Sequence, residues 1–277
     1  MKVSPHPWNT GFTWAEHEGP FRVLDADQAR RFDQDGFFLL EDALAPETLK
    51  EVIEAIDPWE ERTTKFLRTQ PDGKMLIADA EVITFTTHLV TRSDVLRRLA
   101  SGPPFTGLVA DLIGSDARLY WDQAVYKKPE APTEFPWHQD NGYAFVEPQQ
   151  YLTCWVPLVD ATVDNGCPWV APGLHRSGTL AHWWTPIGFQ CLEDPVDVVP
   201  VPAPAGSIVV FSSLTPHRTG PNLTGDVRKA YILQYAPDGA VALRGDASSG
   251  APPTRETQDA PDRQFFVVRG GGRVGSG

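Results

Sequence analysis

The apolar positions of this 277-residue chain change period part-way along it. Up to about residue 116 they recur at helical spacing. Asp25 or Asp27 can cap a helix through Arg30, Arg31 and Phe32, and Gly36 can end it. Phe37-Phe38-Leu39-Leu40 then reads as a short buried strand. Pro46 and Glu47 open a second helix in which Leu49, Val52, Ile53 and Ile56 share one face. A third begins near Ser93 and presents Val95, Leu96 and Leu99. Pro103-Pro104 breaks it, and a fourth carries Leu108, Val109, Leu112 and Ile113 to Gly114.

From about residue 117 the period becomes two. Leu119, Trp121, Gln123, Val125 and Lys127 alternate with Tyr120, Asp122, Ala124 and Tyr126, the pattern of a strand with two distinct faces. Tyr151 to Val156 is another, with Tyr151, Thr153 and Trp155 on one side. Val198 to Val201, Ser207 to Ser212 and Lys229 to Tyr235 follow between Pro/Gly turns. Short strands after an opening helical stretch predict a mainly β fold with flanking helices, a β-sandwich or jelly roll. One domain over 1–277 accommodates this: a mainly helical 1–116, a jelly-roll core over 117–240 and a loop-rich tail over 241–277. Within the tail, 244–262 reads as loop, Phe265 to Val268 as a returning strand, and the final Gly-rich residues as a frayed end.

Composition narrows the partners. With 24 basic and 36 acidic residues, the net charge of -12 argues against a phosphate-backbone partner. The pairs Arg30-Arg31, Arg97-Arg98 and Lys127-Lys128 are too short for a basic stripe. No apolar run approaches the 18 or so residues of a membrane span, and Met1-Lys2 leads into Val3-Ser4-Pro5 rather than an apolar leader. Cys154, Cys167 and Cys191 are odd in number and lack metal-type spacing, which suits a reducing cytoplasm. The expectation is a cytoplasmic protein acting on a small molecule.

Candidate chemistry begins at Phe135-Pro136-Trp137-His138-Gln139-Asp140. On a strand, His138 and Asp140 would point to one face. Alone, that tripeptide is most often a surface turn. A distant His217 supplies a second imidazole, and two histidines with one carboxylate form the facial triad that holds non-heme Fe(II) with positions left open. Arg228 opens the strand after His217. If buried, its guanidinium needs an anion, and its fork matches a carboxylate, to which Thr219 offers a hydroxyl. Gln123 and Lys127 share a strand face that reaches either cosubstrate or substrate, although a solvated Lys127 fits equally well. His88, Met75 and Trp183-Trp184 are candidates for a substrate cavity, while His175 and His182 suit turns or a pocket wall.

These residues carry a resemblance. Trp137-His138-Gln139-Asp140, the run Asp164-Asn165-Gly166-Cys167-Pro168-Trp169-Val170-Ala171-Pro172-Gly173-Leu174-His175, and His217-x-Thr219-Gly220-Pro221-Asn222 with Arg228 resemble the phytanoyl-CoA dioxygenase family of Fe(II)/2-oxoglutarate oxygenases. Phe32-Asp33-Gln34-Asp35-Gly36-Phe37 resembles that family's opening segment, so the likeness spans roughly residues 28 to 236. Leu174 departs from it, at a position where the family commonly has Ser. The resemblance implies a double-stranded β-helix, a cupin-like barrel with metal and cosubstrate at its mouth. It implies iron on His138, Asp140 and His217, and 2-oxoglutarate on Arg228 and Thr219 beside Trp155. It also implies O2-dependent oxidation of an unactivated C–H bond with release of succinate and CO2. Asp140 favours hydroxylation, because halogenating relatives lack that carboxylate. Phe66, Phe85, Phe145, Trp183 and Trp184 suit an apolar or polycyclic substrate. Two rivals are a Zn hydrolase or isomerase on the same triad, and a non-catalytic cupin-like binder; neither needs a site for a dicarboxylate.

Overall fold

A computed structural model of the chain describes residues 3–274. Helix α1 (Ala26–Asp35) is capped by Asp25, which accepts from the Gln28 amide while the Gln28 side chain accepts from the Asp25 N–H. Gly36 closes α1 with φ 85°, a left-handed turn that glycine adopts without steric cost. The chain passes directly into the Phe37–Leu40 strand. Helix α2 (Pro46–Leu67) outruns its predicted face, continuing through Pro58 because Glu60, Thr64 and Leu67 are buried beyond it. Ser93 caps α3 (Asp94–Ala100), and α4 (Phe105–Leu112) follows the Pro103-Pro104 break.

Six strands form the body of a ten-stranded sheet. In order they are Phe37–Leu40, Ile208–Ser212, Leu152–Pro157, Arg228–Pro237, Ala117–Lys127 and Ile83–Thr87, each antiparallel to its neighbour. A four-stranded sheet sets Val199–Pro200, Pro168–Val170, His217–Thr219 and Phe135–His138 side by side. Period-two alternation gives the large sheet two buried faces. Ala124, Tyr126, Cys154, Val156, Tyr231 and Leu233 pack with Phe32, Val52, Ile56, Leu96 and Leu108 of the helices. Val125, Trp155, Val209, Phe211, Ala230 and Ile232 pack against Phe135 and Val170 of the small sheet. The candidate site lies between the two sheets.

Several expectations change. The first 116 residues also supply Ile83–Thr87 to the large sheet, a strand whose threonines break any apolar run. The tail is not loop throughout, since Thr254–Thr257 pairs with Val241–Arg244. The returning strand is Phe266–Arg269, paired with both Ala117–Arg118 and Gly272–Arg273. Gly270 and Gly271, both at positive φ, make the turn between the last two rather than a frayed end. The remainder of that expected end, residues 275–277, lies outside the described residues, as do residues 1 and 2. Among the described residues no helix is long and apolar enough to cross a membrane.

Candidate active site

Two of the three candidate ligands come from one ladder. His217 on His217–Thr219 is the direct cross-strand partner of His138 on Phe135–His138, which puts both imidazoles on the face turned toward the large sheet. Their ring centroids are 4.2 Å apart. Asp140 is not on the strand, as the sequence suggested, but opens a 3₁₀ turn, Asp140–Gly142. Its orientation survives because Gln139 is still extended (φ -107°, ψ 143°), so the alternation runs one residue past the strand. Asp140 Oδ1 lies 3.8 Å from Nε2 of His138 and 3.8 Å from Nε2 of His217. One ligand atom from each residue falls within 4.8 Å of the others.

Both rings are held in the same tautomer. His138 Nδ1 donates to the Pro136 carbonyl at 2.8 Å, and His217 Nδ1 donates to the Thr215 carbonyl at 3.0 Å. Each Nε2 is left with a lone pair facing Asp140, the state a metal requires. Burial, then the neighbouring His217, holds the His138 pKa well below the usual imidazole range, so the ring stays neutral. Thr153 donates its hydroxyl to Asp140 Oδ2 at 2.6 Å, leaving Oδ1 to the histidines. Gln234 donates to that hydroxyl oxygen at 3.4 Å. Between the ligands, Gln139 points the other way. It donates to the carbonyls of Gly178 and Leu214 and accepts from Leu180 N–H, while its own N–H donates to His182.

The large sheet presents its inward residues in rows fixed by register. Lys127 pairs with Arg228, Val125 with Ala230, Gln123 with Ile232 and Trp155, and Trp121 with Gln234 and Thr153. Arg228 has no exposed surface. Its Nη1 reaches the Val125 carbonyl at 3.5 Å, and its guanidinium lies 5.3 Å from the Trp155 ring centroid. Nε and Nη2 of Arg228 have no partner among the described residues. Burial alone pushes its pKa down to about 10. Leaving two charged N–H donors unmet in a core costs several kcal/mol, on the order of 1–3 each, unless an anion arrives. Lys127 is equally buried and donates to Thr219 Oγ1 at 3.3 Å, to the Thr133 carbonyl at 3.3 Å and to the Gly220 carbonyl. It is therefore not solvated. Burial, then Arg228, lowers its pKa to about 7.

Other predicted residues disperse. Gln123 faces inward, its side-chain oxygen accepting from Trp121 Nε1 at 3.3 Å. Phe85 packs on Phe135, which meets the His138 ring edge-on. Phe66 is exposed on α2, and Phe145 packs on His6 and Trp8, so neither lines the triad. Trp183 and Trp184 sit on a hairpin, Trp183–Thr185 with Gly188–Gln190, which rests on Phe135–His138 through Phe189 and Tyr143. His175 belongs to a turn against Trp14 and the Asp33 carbonyl. Thr153, Gln234 and the anchoring role of Gln139 went unassigned. The signal for Thr153 was its place on the inward face with Trp155.

The donor set therefore fits a divalent metal with open positions. The orphaned guanidinium of Arg228, which lies against Trp155 one row from Thr153, fits a small dianion reaching that metal. Profile comparison finds the phytanoyl-CoA dioxygenase (PhyH) family over residues 32–230. The methylphosphonate hydroxylase of Gimesia maris is 27% identical over 220 residues, covering 77% of this chain and 81% of that protein. The ectoine dioxygenase of Bordetella bronchiseptica is 26% identical over 241 residues, covering 79% and 77%. In fold, the chain is similar to the epimerase SnoN, solved with Fe3+, α-ketoglutarate and nogalamycin RO. That likeness has a TM-score of 0.68 over 87% of this chain and 97% of the other, at 24% identity. The chain belongs to the phytanoyl-CoA dioxygenase family of Fe(II)/2-oxoglutarate oxygenases.

Proposed function

We propose that this protein is an Fe(II)/2-oxoglutarate-dependent dioxygenase that hydroxylates an unactivated C–H bond of a small, largely apolar metabolite, releasing succinate and CO2. The observation that carries this reading is Arg228, a buried cation with two unmet donors beside the His138, Asp140 and His217 triad. In this reading His138, Asp140 and His217 hold the metal, and the two sheets are the halves of a double-stranded β-helix. When bound, Fe(II) and 2-oxoglutarate supply the O2 activation that no side chain here can perform.

The residues perform the positioning. Arg228 meets the far carboxylate of 2-oxoglutarate with its free Nε and Nη2, and Thr219, fixed by Lys127, offers a hydroxyl alongside. Trp155, over which the guanidinium lies, forms the wall of that pocket. Thr153, bound to Asp140, is two residues away on the same strand face, a step of about 7 Å. A five-carbon diacid matches that span. By engaging Oδ2, Thr153 leaves Asp140 one oxygen, Oδ1, that would hold the metal together with the two histidines. The aromatic hairpin above His138 excludes water from the reacting carbon. Three free, buried cysteines suit a reducing compartment, and we assign the protein to the cytoplasm.

Anaerobic Fe(II) and 2-oxoglutarate should together produce the weak visible charge-transfer band of a chelated ketoacid. Arg228→Ala should weaken 2-oxoglutarate binding by about 10²-fold or more, the scale of a lost buried charge pair. Metal binding without the band, with unchanged 2-oxoglutarate affinity in Arg228→Ala, defeats the proposal.

A further inference from the structure

Beyond the row of Trp121, Gln234 and Thr153, the edge of the site is built by residues that the triad and the cosubstrate leave unused. His88 follows the Ile83–Thr87 strand at φ 57°, a left-handed conformation costly for histidine. Asp122 enforces it from the other face of the sheet, accepting from the N–H groups of Leu89 and Val90. The imposed turn lays the His88 ring edge-on against Trp121, with centroids 4.4 Å apart. Strain held this firmly in a loop beside a site is a reason to look for a ligand.

The protonation pattern of this corner can be read from its bonds. Arg263 Nη1 lies 3.2 Å from His88 Nε2. A guanidinium can only donate, so Nε2 accepts and the ring proton sits on Nδ1. Burial, then the charge of Arg263, lowers the His88 pKa and keeps that neutral form. On the neighbouring strand the Gln123 oxygen is engaged by Trp121, which leaves its NH2 group to donate. His88 Nδ1–H, the Gln123 amide and the remaining Arg263 N–H groups present donors at this corner, where the Asp262 carboxylate also lies near enough to act on His88. Arg263 has no carboxylate at ion-pair distance among the described residues.

Arg263 reaches this place because residues 258–264 are strapped across the sheet's end. Gln264 donates to Gln258 and to the Tyr120 carbonyl, its own carbonyl accepts from Arg118, and the Asp262 carbonyl accepts from Arg97. The strap lies outside the residues matched by the family profile, 32–230. The corner also communicates with the metal side. Trp121 is the cross-strand partner of Gln234, which bonds Thr153, which bonds Asp140. On the His138 ring stands an apolar wall of Tyr143, Phe189 and Trp184.

We infer that His88, Gln123 and Arg263 form the recognition site for an oxyanion, such as a carboxylate, at one end of the substrate, whose apolar body lies under the Trp184 hairpin. The substrate class is thus an amphipathic small acid, oxidised at a carbon between its charged head and its apolar body. This rests on the oxygenase reading and adds the head group to it.

The test uses the anaerobic Fe(II)·2-oxoglutarate holoenzyme and three matched probes: 4-phenylbutyrate, 4-phenylbutan-1-ol and 4-phenylbutylamine. Calorimetric titration should give 4-phenylbutyrate a Kd at least tenfold below the alcohol and the amine. Arg263→Met should erase that preference and Arg263→Lys restore part of it, while His88→Asn, which tolerates the left-handed backbone, should reduce it. The 2-oxoglutarate charge-transfer band should be unchanged in all three variants. Equal affinity for the three probes, no binding of the carboxylate, or a preference that persists in Arg263→Met overturns the inference. Absence of the band in the unaltered protein instead defeats the oxygenase reading, so the two failures are distinct.

Discussion

At the scale of single residues, the site's behaviour depends on two buried cations on adjacent strands. Lys127 has its pKa depressed to about 7 by burial and by Arg228. Its ammonium is therefore present below pH 7 and is lost as the pH rises through that value. An anion seated at Arg228 favours the charged form, so binding above pH 7 must take up a proton. Affinity for 2-oxoglutarate should fall progressively between pH 7 and 9, and Lys127→Met should flatten the profile at a lower overall affinity. Titrating the charge-transfer band across that range checks both. A pH-independent affinity in the unaltered protein would separate Lys127 from the cosubstrate. Residue types made this group legible: an imidazole, a carboxylate, a guanidinium and a hydroxyl at these spacings have few joint uses. Burial was not legible, because Lys127 reads from sequence as an ordinary surface lysine. Only the register with Arg228 removes it from water.

Elements set where those residues can point. The connection from α1 to Phe37–Leu40 runs through Gly36, where an added Cβ would stand 2.5 Å from Thr215 Oγ1 and 2.6 Å from His175 Nδ1. Thr215 is also the residue whose carbonyl fixes the His217 tautomer. Gly36→Ala should therefore destabilise the protein by roughly 2–4 kcal/mol, from left-handed strain and overpacking together. It should also loosen metal binding at His217. Urea unfolding and a metal titration measure the two effects, and a change within about 0.5 kcal/mol would contradict the account. The helices and the long strands were legible because their periods persist over many residues. Pro168–Val170, His217–Thr219 and the Trp183–Thr185 hairpin were not, since three residues carry no period. These short strands complete the small sheet and the lid over His138, so the least legible elements are among the most functional.

For the whole molecule, the C-terminal strap ties the chain's end to the sheet's edge. Val267 and Val268 are buried in the core shared by the helices and the large sheet, although their strand follows a polar, Pro-rich stretch. Deleting residues 254–274 should lower stability by about 3–6 kcal/mol from these two side chains alone. Thermal melting should show this as a clear drop, and the deletion should also remove the carboxylate preference of the site. An unchanged melting temperature would mean that the strap is peripheral to the core. The sequence disclosed Phe265 to Val268 as a strand, but not what lay before it. Composition marks 244–262 as loop, and pairing with a partner ten or more residues away leaves no local trace.

The division of the triad between a ladder and a turn has one further consequence. The two imidazoles stand on paired backbone, each held by a carbonyl two residues before it. Asp140 stands outside the ladder and is fastened by a single hydroxyl. The chain's scaffold and its reactivity are thus separable at one position. In the proposed oxygenase, a mutation at residue 140 would open the place of the third protein ligand to an exogenous anion while every strand keeps its register. In a fold arranged this way, a new chemistry is one codon from the old one and does not have to wait for a new architecture.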